Sequence, residues 1–126
     1  MVEKRKHSRI KRFLPLKLSH TECDILTETK DISVSGAYCS VDKPLEVMTR
    51  VNIVLLLAVK KSKSKVVKKI NCKGVVVRRD YIKDNGKHSY HVGIYFNDMD
   101  ERDKKTLLSY VNSIHKSSEL VESAAK

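Results

Sequence analysis

Cysteine and glycine are scarce in this chain, at three and four residues out of 126. Cys23, Cys39 and Cys72 are odd in number and widely separated, so neither a disulfide framework nor a zinc-ligand pattern can be built from their spacing. They read as buried free thiols of a reducing cytosol. So few glycines leave no glycine-rich phosphate loop. The longest apolar run, Ile53 to Val59, is far too short to span a bilayer. The N-terminus is charged and no apolar core follows it, so no signal peptide is legible and the chain reads as cytoplasmic. His7, His20, His88, His91 and His115 lack metal-ligand spacing, so no metal site is expected. No nucleophile elbow surrounds Ser33 or Ser35, and no Ser/His/Asp order suggests acyl transfer. Paired carboxylates occur only near residue 100, where helix capping explains them. A binding function, not an enzyme, is left.

What the chain does carry is basic charge, unevenly placed. Its net charge is +11, yet residues 1–17 hold seven Lys/Arg against Glu3 alone, and residues 60–73 hold seven lysines and no acid. The remainder is slightly acidic, so the basic character is local and points to an anionic partner at one or both stretches. An apolar content of 40% without low-complexity bulk fits a single folded domain.

Periodicity sets the expected elements. Leu14, Leu16 and Leu18 alternate as in a strand over Phe13–Leu18, and a second extended stretch runs from about Asp24 to Ile32. After the Ser33–Gly36 turn, Ala37 to Val41 reads as a third strand, and Asp42-Lys43-Pro44 punctuates the chain. Val51 to Val59 reads as a strand buried on both sides at its centre. The Lys/Ser tract over 60–65 reads as a loop, followed by extended structure from Val66 to Arg79 with Gly74 at a bulge or close-packing point. Asp84-Asn85-Gly86 signals a hairpin whose return strand is Ser89 to Phe96. Asp98 and Glu101 approximate a capping box, and Leu107, Leu108, Val111 and Ile114 recur at helical spacing. The expectation is an all-β-dominated fold: a six-stranded antiparallel barrel with a C-terminal α-helix. Residues 1–12 are expected as a flexible basic leader, 13–116 as barrel plus helix, and 117–126 as a frayed tail.

Two short motifs carry the chemistry. Arg5-Lys6-His7-Ser8-Arg9 places two arginines four apart, and Asp31-Ile32-Ser33-Val34-Ser35-Gly36 places a carboxylate, a hydroxyl and a glycine in a turn between apolar runs. Guanidinium forks suit phosphates and the Hoogsteen edge of guanine, while a carboxylate suits the guanine N1–H and amino donors. Arg-x-x-x-Arg alone is a weak signal in a chain this basic, and a solvated leader explains it equally well. Asp-x-Ser-x-x-Gly is sharper because glycines are few, although a polar turn with Gly36 at positive φ would also account for it.

The conjunction, in this order, resembles the PilZ domain family, bacterial receptors for cyclic di-GMP. Glu3 to Arg9 matches the family's leader, Asp31, Ser33 and Gly36 match its second motif, and Val92-Gly93-Ile94-Tyr95-Phe96 followed by a helix matches its end. The resemblance covers about residues 3 to 116. It implies cyclic di-GMP as ligand, no other cofactor, and ligand contacts at Arg5, Arg9, Asp31, Ser33 and Gly36, with Lys4 and Gly93 as secondary contacts. Lys4 stands where many members have another arginine, which keeps the charge but loses the bidentate fork. Ordering of the leader on binding would then relay occupancy to an unidentified protein effector. Two alternatives accompany this reading. One is a small basic barrel that binds nucleic acid non-specifically, with Tyr81, Tyr90 and Tyr95 available for stacking; the lysine cluster over 60–73 favours it mildly, although a charge run is usually a solvated face. The other is a PilZ-like protein-interaction module with a weak nucleotide site.

Overall fold

The structure, a computed structural model, describes residues 9–21, 23–43, 45–84 and 87–125. Leu14, Leu16 and Leu18 are buried while Pro15 between them is exposed, so β1 (Pro15–His20) turns one face inward. The same alternation organises β2 (Cys23–Ser33), β3 (Gly36–Val41), β4 (Arg50–Lys61), β5 (Ser64–Asp84) and β6 (Lys87–Met99). Every neighbouring pair is antiparallel, and the order β1-β2-β3-β6-β5-β4 closes into a barrel because β1 pairs with both β2 and β4. The expected architecture of six strands with α1 (Glu101–Ala125) at the C-terminus is the one observed.

Three local expectations need correction. The apolar run in β4 is buried on one face only: Val51, Ile53, Leu55 and Leu57 point inward, whereas Val54 and Leu56 are half-exposed. A closed barrel has a single interior, so even a continuous apolar strand keeps an outer face. The tract over 60–65 is not a loop. β4 and β5 continue through it, pairing Lys60 with Lys65, and Ser62 at φ 59° makes the tight turn. Lysines reach solvent from either strand, so their charge does not interrupt the ladder. This ribbon runs beyond the strands that pair with β1 and β6. Asp98 lies in β6 opposite Lys73, so the Asp98–Glu101 capping box does not form. Asp100 precedes the helix instead, and its carbonyl accepts from the Lys104 amide at 2.9 Å.

Gly74 sits at a register shift, and a Cβ there would fall 2.7 Å from Ile94 Cγ2 and 2.8 Å from Ile53 Cδ1. Both halves of the sequence expectation, bulge and close packing, therefore hold at this residue. Leu107 and Val111 of α1 are fully buried against the barrel, with Tyr110 and Ile114 alongside, while Leu108 faces outward. Helical backbone continues to Ala125, through the stretch expected to fray. The hairpin residues Asn85 and Gly86 lie outside the described residues, but Asp84 pairs with Lys87 as that turn requires. No helix among the described residues is long and apolar enough to cross a membrane. Cys39 and Cys72 are buried free thiols and Cys23 is half-buried. Desolvation pushes the Cys39 and Cys72 thiols up to about 12.

The leader is held from residue 9 onward. Ile10 is buried and exchanges two backbone hydrogen bonds with Ile32, each 2.9 Å. Thr29, fully buried, donates its hydroxyl to the Arg12 carbonyl at 2.5 Å and accepts from the Leu14 amide at 3.0 Å. The expected flexible segment 1–12 is thus fastened to the barrel over 9–12, and residues 1–8 lie outside the described residues.

Candidate ligand-binding cleft

β2 would present Asp31 to the interior if its alternation continued from Thr29. A register shift between Thr29 and Asp31 reverses that phase, so Thr29 and Ile32 point inward and Asp31 points out. The Ile10–Ile32 bridge lays Arg9 beside it, and Arg9 Nη1 meets Asp31 Oδ1 at 2.5 Å. Both side chains are about one-third exposed, at 32% and 28%. The two motifs, 22 residues apart in sequence, converge on one point.

That point borders a cleft of about 380 Å³ on the outside of the barrel, where β2, β3, β5 and β6 meet the leader. Arg9, Asp31, Ser35, Gly36, Tyr38, Arg78, Gly93 and Tyr95 contribute to its lining. A volume of this order suits a small organic ligand. Gly36 forms part of the floor because a Cβ there would collide with the Ile94 carbonyl oxygen of the adjoining strand. Close approach, not positive φ, is what requires glycine at this position. Gly93 is the second floor residue, and a Cβ there would lie 3.3 Å from Arg78 Cβ. Ser33 is different. Its side chain is buried, its hydroxyl accepts from the Ser35 amide at 3.2 Å and lies 3.1 Å from the Ser35 hydroxyl, and it is not among the cleft-lining residues. It shapes the turn from behind. Arg5 and Lys4 lie outside the described residues.

Tyr38 and Arg78, absent from the site read in the sequence, line another part of the cleft, and Asp80 braces both. Tyr38 of β3 donates its hydroxyl to Asp80 Oδ2 at 2.7 Å, and Arg78 Nε donates to the same oxygen at 2.9 Å. The guanidinium carbon lies 5.3 Å from the Tyr38 ring centroid, and the His91 ring stands perpendicular to that ring with centroids 5.5 Å apart. A register shift between Val76 and Arg78 is what turns Arg78 outward. Desolvation and then the Asp80 hydrogen bond push the Tyr38 phenol up to about 12, so it remains a donor across the neutral range. Asp80 is held below the usual carboxylate range by the bonds from Tyr38 and Arg78. Desolvation, then the charge of Lys30, hold His91 below the usual imidazole value against the opposing pull of Asp80. No short motif announces this cluster. A bulge and a pairing between β3 and β5 residues across β6 create it, and neither is periodic in sequence.

The tyrosines proposed for nucleic-acid stacking do not share a surface track. Tyr95 lines the cleft, whereas Tyr81 leans on half-buried Tyr90 with centroids 5.3 Å apart, farther along β5 and β6. Among the described residues, no group of three or more His, Cys, Asp or Glu side chains is arranged to hold a metal ion.

The described residues form a closed six-stranded β-barrel with a C-terminal helix and a cleft where Arg9 meets the barrel. The chain belongs to the PilZ domain family, whose sequence model matches residues 3–113. Solved structures of similar fold include the Bacillus subtilis inhibitor of motility MotI/DgrA, with a TM-score of 0.77 and 16% identity over 92% of this chain and 53% of that one. The PilZ domain of Escherichia coli YcgR with c-di-GMP matches at TM-score 0.67 and 13% identity, over 98% of this chain and 99% of that one. The K. pneumonia MrkH–c-di-GMP complex matches at 0.68 and 18%, over 99% of this chain and 57% of that one. The chain thus spans only about half the length of MotI/DgrA and MrkH. No curated protein sequence matches it.

Proposed function

We propose that this chain is a cytoplasmic receptor for cyclic di-GMP that binds the nucleotide in the cleft between leader and barrel and performs no catalysis. The observation that carries this reading is the meeting of Arg9 and Asp31 at the mouth of a cleft floored by Gly36 and Gly93. Two similar structures are described with c-di-GMP, which supports the ligand class. On binding, ligand phosphates compete for Arg9, which frees the Asp31 carboxylate to accept from guanine N1–H and amino donors. Arg5 and Lys4 add charge from the leader, and Ser33 acts through the turn it fixes. A charge-assisted hydrogen bond contributes roughly 1.5–3 kcal/mol. Two such arginine contacts therefore supply about half of the roughly 8 kcal/mol that micromolar affinity requires. Ordering of residues 1–8 over the bound nucleotide would present a new surface to a protein effector.

Isothermal titration tests the reading. Wild type should bind cyclic di-GMP and reject GMP, and Arg9→Ala should weaken binding by more than tenfold while the fold survives. A folded wild-type sample that gives no heat at high micromolar nucleotide refutes it. Tight, steeply salt-dependent uptake of DNA regardless of guanine content would favour a nucleic-acid binder instead.

A further inference from the structure

The anchoring of Arg78 is unusual for a surface arginine. Its side chain is 67% exposed, yet three contacts hold it. Nε donates to Asp80 Oδ2, Nη2 lies 2.9 Å from that same oxygen, and Tyr38 lies under the guanidinium. Tyr38 in turn fastens Asp80 through its hydroxyl. Rotamer freedom that a free arginine would lose on binding a ligand is already lost here.

The geometry also limits what this arginine can offer. Asp80 occupies the Nε/Nη2 edge, one of the two edges by which a guanidinium grips a phosphate, and it neutralises the charge locally. The Tyr38 ring supports the guanidinium from below, with its centroid 5.3 Å from the guanidinium carbon. The rest of the guanidinium is open, on a side chain that is mostly exposed and lines the cleft. Nucleic-acid bases stack on guanidinium planes, and the interaction tolerates any base with a π-face. Gly93 keeps the platform in place, since even a methyl group there would press on Arg78 Cβ at 3.3 Å.

We infer that Arg78, fixed by Asp80 and Tyr38, is a stacking platform for one guanine base of the bound nucleotide, while the Arg9 side of the cleft takes the phosphates. This rests on the proposed nucleotide-binding function, and the two fail differently. Titrations of cyclic di-GMP into the full chain should show Arg78→Ala weaker by roughly tenfold, the scale of one lost base stack. Arg78→Lys should lose as much as alanine, because it keeps charge without a plane. Arg78→Tyr should stay within about threefold of wild type, because it keeps a plane without charge. The salt dependence of binding should be unchanged in Arg78→Ala, since no phosphate contact is removed. Tyr38→Phe keeps the ring but releases Asp80, and should cost a smaller factor with Arg78 intact. Lysine rescuing where tyrosine fails, or a shallower salt slope in the alanine variant, overturns the stacking role in favour of a charge contact. Wild-type affinity in Arg78→Ala overturns any role. A wild-type chain that takes up no nucleotide removes the underlying function and this inference with it.

Discussion

Thr29→Val tests how the leader is fastened. Valine matches threonine in shape, so the barrel interior keeps its packing while one hydroxyl disappears. That hydroxyl donates to the Arg12 carbonyl and accepts from the Leu14 amide, and Thr29 is completely buried. The substitution leaves two backbone groups without their partner, each costing about 1–3 kcal/mol where water does not reach. Some of that is recovered because a methyl group is buried in place of a hydroxyl. A net loss of about 2–3 kcal/mol is expected, a large fraction of the 5–15 kcal/mol typical of a domain. For a chain of this size that corresponds to a fall in melting temperature of roughly 10 °C. The loss should be local before it is global. Amide exchange at Ile10 and Leu14 should accelerate, while that of inward-facing Leu55 on β4 changes only with global stability. Cyclic di-GMP affinity should fall severalfold, because Arg9 would no longer be delivered to Asp31 by an anchored strand. A Thr29→Val chain that melts with wild type and keeps Ile10 and Leu14 protection would refute the assignment of Thr29 as the fastening point.

Gly36→Ala would aim a methyl group at the Ile94 carbonyl, which is backbone and cannot rotate away. Separation of β3 from β6 should cost about 1–3 kcal/mol, seen as a lower denaturation midpoint, and an unchanged midpoint would contradict the close approach. Under native conditions a thiol reagent should modify Cys23 first and reach Cys39 and Cys72 only as the chain unfolds, given their burial and raised thiol values. Rapid modification of all three would overturn that order. His91 is depressed by burial and Lys30, so the unfolded chain takes up its proton at a higher pH than the folded chain does. Its contribution is present above the ordinary histidine value of 6.5 and is lost as pH falls below it, so His91→Gln should flatten stability in that acid range. Identical pH profiles for wild type and variant would show that His91 does not carry the effect.

The barrel was legible because alternation is a local signal. Leu14, Leu16 and Leu18, or Val92, Ile94 and Phe96, announce an inner face without reference to any partner strand. Arg9, Asp31 and Gly36 were legible for another reason: their types and spacing coincide with a ligand chemistry. The local consequences of closure were harder to read. Whether Val54 and Leu56 are buried depends on there being one interior, and whether 60–65 turns tightly depends on a single left-handed residue, Ser62. Ser33 shows that a motif residue can lie behind the cleft and fix its turn without lining it. The Tyr38–Asp80–Arg78 cluster was hidden because its members lie up to 42 residues apart and meet only after β6 brings β3 and β5 into neighbouring positions. Register shifts then decide which side chains face outward, and nothing in composition or periodicity specifies them.

A ring of strands has no open edge, but the β4–β5 ribbon restores two. Among the described residues, 56–61 and 64–71 have a strand neighbour on one side only, which leaves rows of backbone donors and acceptors able to recruit another molecule's strand. Lys60, Lys65, Lys68 and Lys69 stand along those rows. Two such ribbons approaching each other would bring like charges together, so the lysines act as gatekeepers against sheet extension between copies. Neutralising them would be expected to make the ribbon prone to polymerise.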